Sequence, residues 1–206
     1  DPLHPRFYDL SNIASGKDNP SGWRMVEFPL YQLLGSVGFK LFGTVTIEIW
    51  LRLITIAAST GTAVLLALLV SRFTGNLAGI LTGFAYAVFP YSIYYGRTIL
   101  PEPFMVFWSV LSVYLLSTIQ ASNKKPWLLL VLAGASAALA LLVKPTAIFL
   151  LLPASYLIWK RFSFSKDLFI GLLGYWVIGL FPLWWWRQWI LQYPEGIPVY
   201  AWLLNE

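Results

Sequence analysis

The sequence predicts an all-α protein, a polytopic transmembrane helix bundle of about six spans behind an extracytoplasmic first loop that carries short interfacial helices. Three observations predict it. Of the 206 residues 58% are apolar and 17% aromatic, while only 11% are charged; a globular domain has about 25% charged residues, so this chain cannot coat a water-facing surface. The charges are also bunched, which leaves six charge-free stretches at 53–71, 73–96, 103–123, 126–143, 145–159 and 168–186, together 116 residues. Five of those stretches reach about 18 residues or more, and a helix of about 20 residues rising 1.5 Å per residue crosses the hydrocarbon layer.

Taken in order, the chain opens with residues 1–27, a polar and turn-rich segment. Within it YDLSNIAS suits a short interfacial helix, and ASGKDNPSGW is a loop by its Gly, Pro, Asn and Ser content. FPLYQLLGSVGFKLFG follows, too short to span comfortably, with Pro29 where a helix begins. The spans are expected at 50–71, 76–96, 103–121, 126–143, 145–159 and 167–187. The candidate at 145–159 is about 22 Å long as a helix. Lys144 and Lys160 bracket it and reach outward by snorkelling, with a re-entrant segment as the alternative. Three parts result: a first loop over 1–49, a bundle over 50–187, and the start of another extracytoplasmic loop over 188–206. Starting at Asp and ending in Asn-Glu, the chain reads as a piece of a longer membrane protein. Gly134, Ser136, Gly171, Gly174 and Gly179 are small residues that permit close helix packing in lipid.

With 1–49 outside, the inner connections hold Arg72, Lys124, Lys125, Lys160, Arg161 and Lys166 against the single acid Asp167. The other eight acids then lie outside together with eight basic residues, so the count of Lys and Arg near span ends supports this orientation only in part. Trp184, Trp185 and Trp186 read as an interfacial aromatic belt at the outer end of the last span. The protein is expected in the plasma (inner) membrane, multi-pass, among membrane lipids and without a nucleic-acid partner. Zero cysteines and one histidine, His4, exclude disulfides, thiolate metal sites and any Ser-His-Asp triad within this chain.

This topology brings three separated segments to the outer face: the first loop with Asp9 and Glu27, the turn YYGRTILPEP with Arg97 and Glu102, and VKP with Lys144. Acids and bases converging at a membrane surface suit a negatively charged substrate beside a general base. Each residue also has a plainer reading. Asp9 caps a short helix, while Glu27 and Glu102 favour helix starts. Arg97 and Lys144 anchor at headgroups. Glu48 and Arg52, four apart, form a simple ion pair.

Four blocks, R-F-Y-D-L-S-N-I-A, V-E-F-P-L-Y-Q-L-L…K-L-F-G, Y-Y-G-R-T-I-L-P-E-P and L-L-V-K-P-T, resemble one family in order and spacing. It is the dolichyl-phosphate-mannose protein mannosyltransferase and aminoarabinose transferase family of the C-type glycosyltransferase superfamily. The resemblance covers nearly the whole chain, and the E-F-P-L-Y block is the most specific. It implies a larger helix bundle, of which this chain is the N-terminal module without its first helix.

The resemblance also implies roles. Asp9 matches the first-loop carboxylate that deprotonates the acceptor hydroxyl. Glu27 matches a glutamate that binds a metal in some relatives, which makes a divalent metal the one cofactor implied. Glu102 and Arg97 match the second outer loop of the same cavity, and Lys144 and Arg6 match basic positions suited to the donor phosphate. In the family the first loop usually carries an acidic pair or a polar neighbour. Here Asp9 stands between Tyr8 and Leu10, leaving one carboxylate in that block.

The activity implied is transfer of a sugar from a polyprenyl-phosphate donor, dolichyl or undecaprenyl, to a hydroxyl of an acceptor protein, lipid or glycan. A single displacement inverts the anomeric carbon and needs no nucleophilic residue. Cations stabilise the departing lipid phosphate. A transporter or flippase is the competing expectation, but it places charge at the bilayer midplane, whereas these spans are charge-free. An inactive structural subunit accounts for the helices and not for the converging charges.

Overall fold

The computed structural model describes residues 25, 27–43, 47–121 and 126–197. They form eight α-helices, two short 3-10 turns and no strand among the described residues. Helix α1 (Leu30–Phe42) starts directly after Pro29, as its sequence suggests, and stops at Gly43, whose φ of +83° lies where glycine alone is at ease. Helix α2 (Ile47–Thr74) is 28 residues long. After Gly75 come α3 (Asn76–Val88) and α4 (Pro90–Arg97).

The sequence suggests one span over 76–96; the structure breaks it. Pro90 holds the preceding Phe89 extended, at φ −65° and ψ 126°, because the proline ring clashes with a helical residue before it. The two helices bend by 59° at that point.

Helices α5 (Glu102–Ala121), α6 (Pro126–Val143), α7 (Leu151–Phe162) and α8 (Lys166–Ile190) complete the bundle. The same proline effect acts before α7, where Pro145 holds Lys144 extended. A 3-10 turn over Pro145–Leu150 then leads into the 12-residue α7. The segment expected to span as 145–159 is thus a turn plus a short helix. Among the described residues four helices are long and apolar enough to cross a membrane, or five where the bent α3–α4 pair counts as one broken span, against the six spans expected.

Helix α6 sits centrally between α5 and α8, α2 packs on α3 and α5, and α7 touches both α5 and α8. The reason α6 can be central is its run of small side chains: Ala133, Gly134, Ser136, Ala137 and Ala140 are all buried. A Cβ on Gly134 would lie 3.0 Å from Ile178 of α8, so only glycine lets these backbones approach as they do. A buried polar triad locks the three helices. Ser112 Oγ donates to the Ala133 carbonyl at 2.8 Å and meets the Tyr175 hydroxyl at 2.9 Å. In lipid such groups must be satisfied by each other, and here one hydroxyl joins α5, α6 and α8.

Alternating helix directions give the bundle two chemically different ends. Residues 27–31, the start of α5, the end of α6 and the end of α8 meet at one of them, shown by Phe28 N–H donating to the Leu142 carbonyl at 3.1 Å and the Phe28 ring meeting Trp186 edge-on at 5.1 Å. Arg72, Tyr114, Thr118 and Lys160 mark the other.

Candidate active site

Glu102 is the first residue of α5, where a carboxylate faces the positive end of the helix dipole. Lys144 stands just beyond the last residue of α6. Because α5 and α6 run antiparallel against each other, the start of one meets the end of the other, and Lys144 Nζ pairs with Glu102 Oε1. Both side chains are mostly covered, 27% and 34% exposed, so the pair is screened less than a surface one. Glu102 Oε2 is buried and has no hydrogen-bond partner among the described residues. The carboxylate is therefore fixed by one oxygen and offers the other as an acceptor.

An aromatic wall adjoins the pair. The Tyr31 hydroxyl meets Thr55 Oγ1 at 2.8 Å, and its ring lies 6.4 Å from Phe104, which in turn contacts Trp108 edge-on at 5.8 Å. Burial pushes the Tyr31 pKa up; its bond to Thr55 opposes this, and the charge of Glu102 adds to the rise. Trp108 Nε1 and Trp186 Nε1 are both buried without a hydrogen-bond partner.

Glu27 is half-buried at this same end. Its neighbours tie it down: Met25 N–H donates to the Gly196 carbonyl at 2.7 Å, and Phe28 N–H to that of Leu142. Arg97 closes α4 and is exposed. Its carbonyl accepts from Arg52 Nη1 at 3.3 Å, and Arg52 Nη2 in turn holds Glu48 at 2.7 Å, the ion pair that the spacing of four suggests. The structure so brings Glu27, Arg97, Glu102 and Lys144 to one end of the bundle. Asp9 and Arg6 lie outside the described residues.

The tryptophan triplet divides. Trp184 and Trp185 are 56% and 50% exposed and suit a belt, but Trp186 is only 7% exposed, packed on Phe28 and stacked on Trp189 at 5.2 Å. Its inward turn corrects the belt reading for that residue. Consecutive helical residues point about 100° apart, so three tryptophans in a row cannot all face lipid; that signal was present in the sequence. Tyr31 and Trp108 carried no comparable signal, since aromatic residues are common throughout the chain.

Among the described residues no three Asp, Glu, His or Cys side chains gather as metal ligands. Glu27 alone does not make a metal site from these residues.

Long apolar helices, with acids and bases collected at one end, define a multi-pass membrane protein. The chain belongs to the dolichyl-phosphate-mannose-protein mannosyltransferase family, which it matches over residues 20–186. It is accordingly a membrane glycosyltransferase of the mannosyltransferase type, a family that works with a lipid-linked sugar donor and an acceptor. The matched stretch contains Glu27, Arg97, Glu102 and Lys144, whereas Asp9 and Arg6 precede it. No curated protein and no solved structure matches the chain.

Proposed function

We propose that the end of the bundle holding Glu102 and Lys144 transfers a sugar from a polyprenyl-phosphate carrier to an acceptor hydroxyl, with inversion, at the extracytoplasmic face of the plasma membrane. The observation that carries this reading is the family match over residues 20–186. The local chemistry agrees with it. Asp9 takes the proton of the acceptor hydroxyl as its oxygen attacks the anomeric carbon, and the bond from that carbon to the phosphate oxygen breaks. The electron pair leaves on the lipid phosphate, whose growing charge Arg97, Lys144 and Arg6 offset. Glu102 fixes Lys144 and keeps one oxygen to accept from a sugar hydroxyl. A divalent ion at Glu27 would need ligands from beyond the described residues, and no step is routed through one. On this reading residues 1–49 belong to the first extracytoplasmic loop and residues 188–206 begin the next one.

The test is incubation of the full-length protein in lipid vesicles with radiolabelled polyprenyl-phosphate sugars and candidate acceptors. Release of polyprenyl phosphate together with label in the acceptor is the expected result. Movement of the intact lipid-linked sugar across the bilayer, without cleavage, would replace the transferase by a flippase.

A further inference from the structure

At the end opposite Glu102 and Lys144, a groove of about 320 Å³ runs between α2 and α7 with α5 as its floor. That volume falls within the range of ligand pockets, roughly 300–1,000 Å³. Leu69, Val70 and Phe73 of α2, Val113 of α5, and Tyr156 and Leu157 of α7 form most of its wall, which is apolar throughout. No part of the proposed transferase site reaches it. Two of its three helices, α2 and α5, are long and apolar enough to cross the membrane, so its ordinary surroundings are acyl chains rather than water.

Its mouth is charged. Lys160, one turn beyond Tyr156 and Leu157 on α7, holds its ammonium 5.9 Å from the centre of the Phe73 ring, which is itself part of the wall. No ion pair among the described residues takes up the charge of Lys160. Arg72 stands beside Phe73, and Arg161 and Lys166 add to the same end, where Asp167 is the one acid among the described residues. Arg72 is already engaged: it donates to Ser117, Thr118 and Tyr114 of α5. Lys160 is thus the cation at the mouth with donors to give, and apolar recess and cation are spaced as the chain and headgroup of one lipid.

We propose that this groove binds an anionic bilayer phospholipid, with an acyl chain between α2 and α7 and its phosphate at Lys160. Charge complementarity selects this occupant. A zwitterionic lipid brings its own cation to a mouth that is already positive, and an apolar helix leaves the lysine unanswered. One basic side chain near an anionic headgroup contributes about 1 kcal/mol, which corresponds to roughly a fivefold preference.

Native mass spectrometry of the full-length protein, released from detergent with added dioleoyl phosphatidylglycerol or dioleoyl phosphatidylcholine, tests this directly. The expected result is retention of phosphatidylglycerol about fivefold over phosphatidylcholine, lost in Lys160→Gln and kept in Lys160→Arg. Val70→Trp, which fills the recess, should reduce retention of both lipids. Lys166→Gln removes a cation at the same end that does not line the groove, and should leave the preference in place. Equal retention of the two lipids by the unaltered protein overturns the proposal, as does an equal loss of preference in Lys160→Gln and Lys166→Gln, which would mean diffuse charge attraction. Should Val70→Trp fail to fold, the Lys160 pair of variants decides alone, because that side chain is exposed.

Discussion

At one end of the bundle Lys144 is met by a carboxylate; at the other, Arg72 is met by three hydroxyls and the face of a ring. Arg72 donates to Ser117 at 3.1 Å, Thr118 at 2.6 Å and Tyr114 at 2.9 Å, with its guanidinium 4.3 Å from the Tyr114 ring centre. Those partners are neutral hydroxyls, so the clamp ties α2 to α5 without a countercharge. Lys144 and Glu102 tie α5 to α6 as well, yet with opposite charges and with a carboxylate oxygen that has no partner among the described residues. A charge held near lipid costs desolvation, and structure alone could have used hydroxyls at both ends. The contrast supports the proposal that places chemistry at one end and architecture at the other.

Removing the base proposed for the first end should show the largest effect. Asp9→Asn keeps the shape and loses proton acceptance, so turnover should drop by roughly 10²–10⁴ with donor affinity retained. Rate and donor-binding measurements on the same preparation check it. Near-normal turnover would reduce Asp9 to a helix cap.

Next in size is the donor phosphate. Arg97→Gln and Lys144→Gln each remove a charge-assisted contact of about 1.5–3 kcal/mol, so donor affinity should fall roughly ten- to a hundredfold. Acceptor affinity should hold. Lys144→Gln has an added consequence, because it frees Glu102 as well, so the double variant Lys144→Gln with Glu102→Gln should lose less than the two single losses combined. Strict additivity would show that the two residues do not act as a unit. Equal loss of donor and acceptor in Arg97→Gln would point to general disruption of that end.

How far the sequence foretells this arrangement depends on the range of the cause. Local causes are legible. The start of α1 at Pro29 and the Glu48–Arg52 pair each follow from neighbours a few positions apart. The break at Phe89 was legible in principle, since Pro90 restricts the residue before it; the unbroken absence of charge over 73–96 hid it. The pairing of Lys144 with Glu102 spans 42 positions, and no spacing rule reaches that far. Their arrival at one face follows from the count of crossings, whereas their contact depends on the packing of α5 against α6. The same holds for Trp186, whose inward turn requires the ring of Phe28 to be there.

A smaller effect separates the core from both ends. Ser112→Ala removes the hydroxyl shared by α5, α6 and α8 and leaves the buried Tyr175 hydroxyl without its partner. Interhelical hydrogen bonds in membranes contribute about 0.6 kcal/mol on average and up to about 1.7. With two bonds lost at once, about 1–2 kcal/mol of stability should go. Tyr175→Phe in the same background should restore part of it, because an unsatisfied buried group costs more than an absent one. Reversible unfolding in mixed detergent micelles measures both. An unchanged midpoint in Ser112→Ala would mean that the Tyr175 hydroxyl finds another acceptor.

The smallest effect sets two arginines against each other. Arg52 and Glu48 are an exposed pair four residues apart, 50% and 62% exposed, and such helix pairs contribute about 0.3–0.5 kcal/mol. Arg72 also lies at a surface, but its partners come from another helix and are fixed by packing, so little side-chain entropy is left to lose when they bond. Arg72→Gln should therefore destabilise by about 1 kcal/mol, and Arg52→Gln by less than half of that. Salt separates them further. Raising the salt from 0.1 to 1 M shortens the screening length from about 10 to about 3 Å, which should erase the Arg52 contribution and leave most of the Arg72 one, since hydroxyl partners carry no net charge to screen. If the two variants respond alike to salt, the Arg72 contacts act as headgroup electrostatics and not as a clamp, and the division between a chemical and an architectural end loses its firmest support.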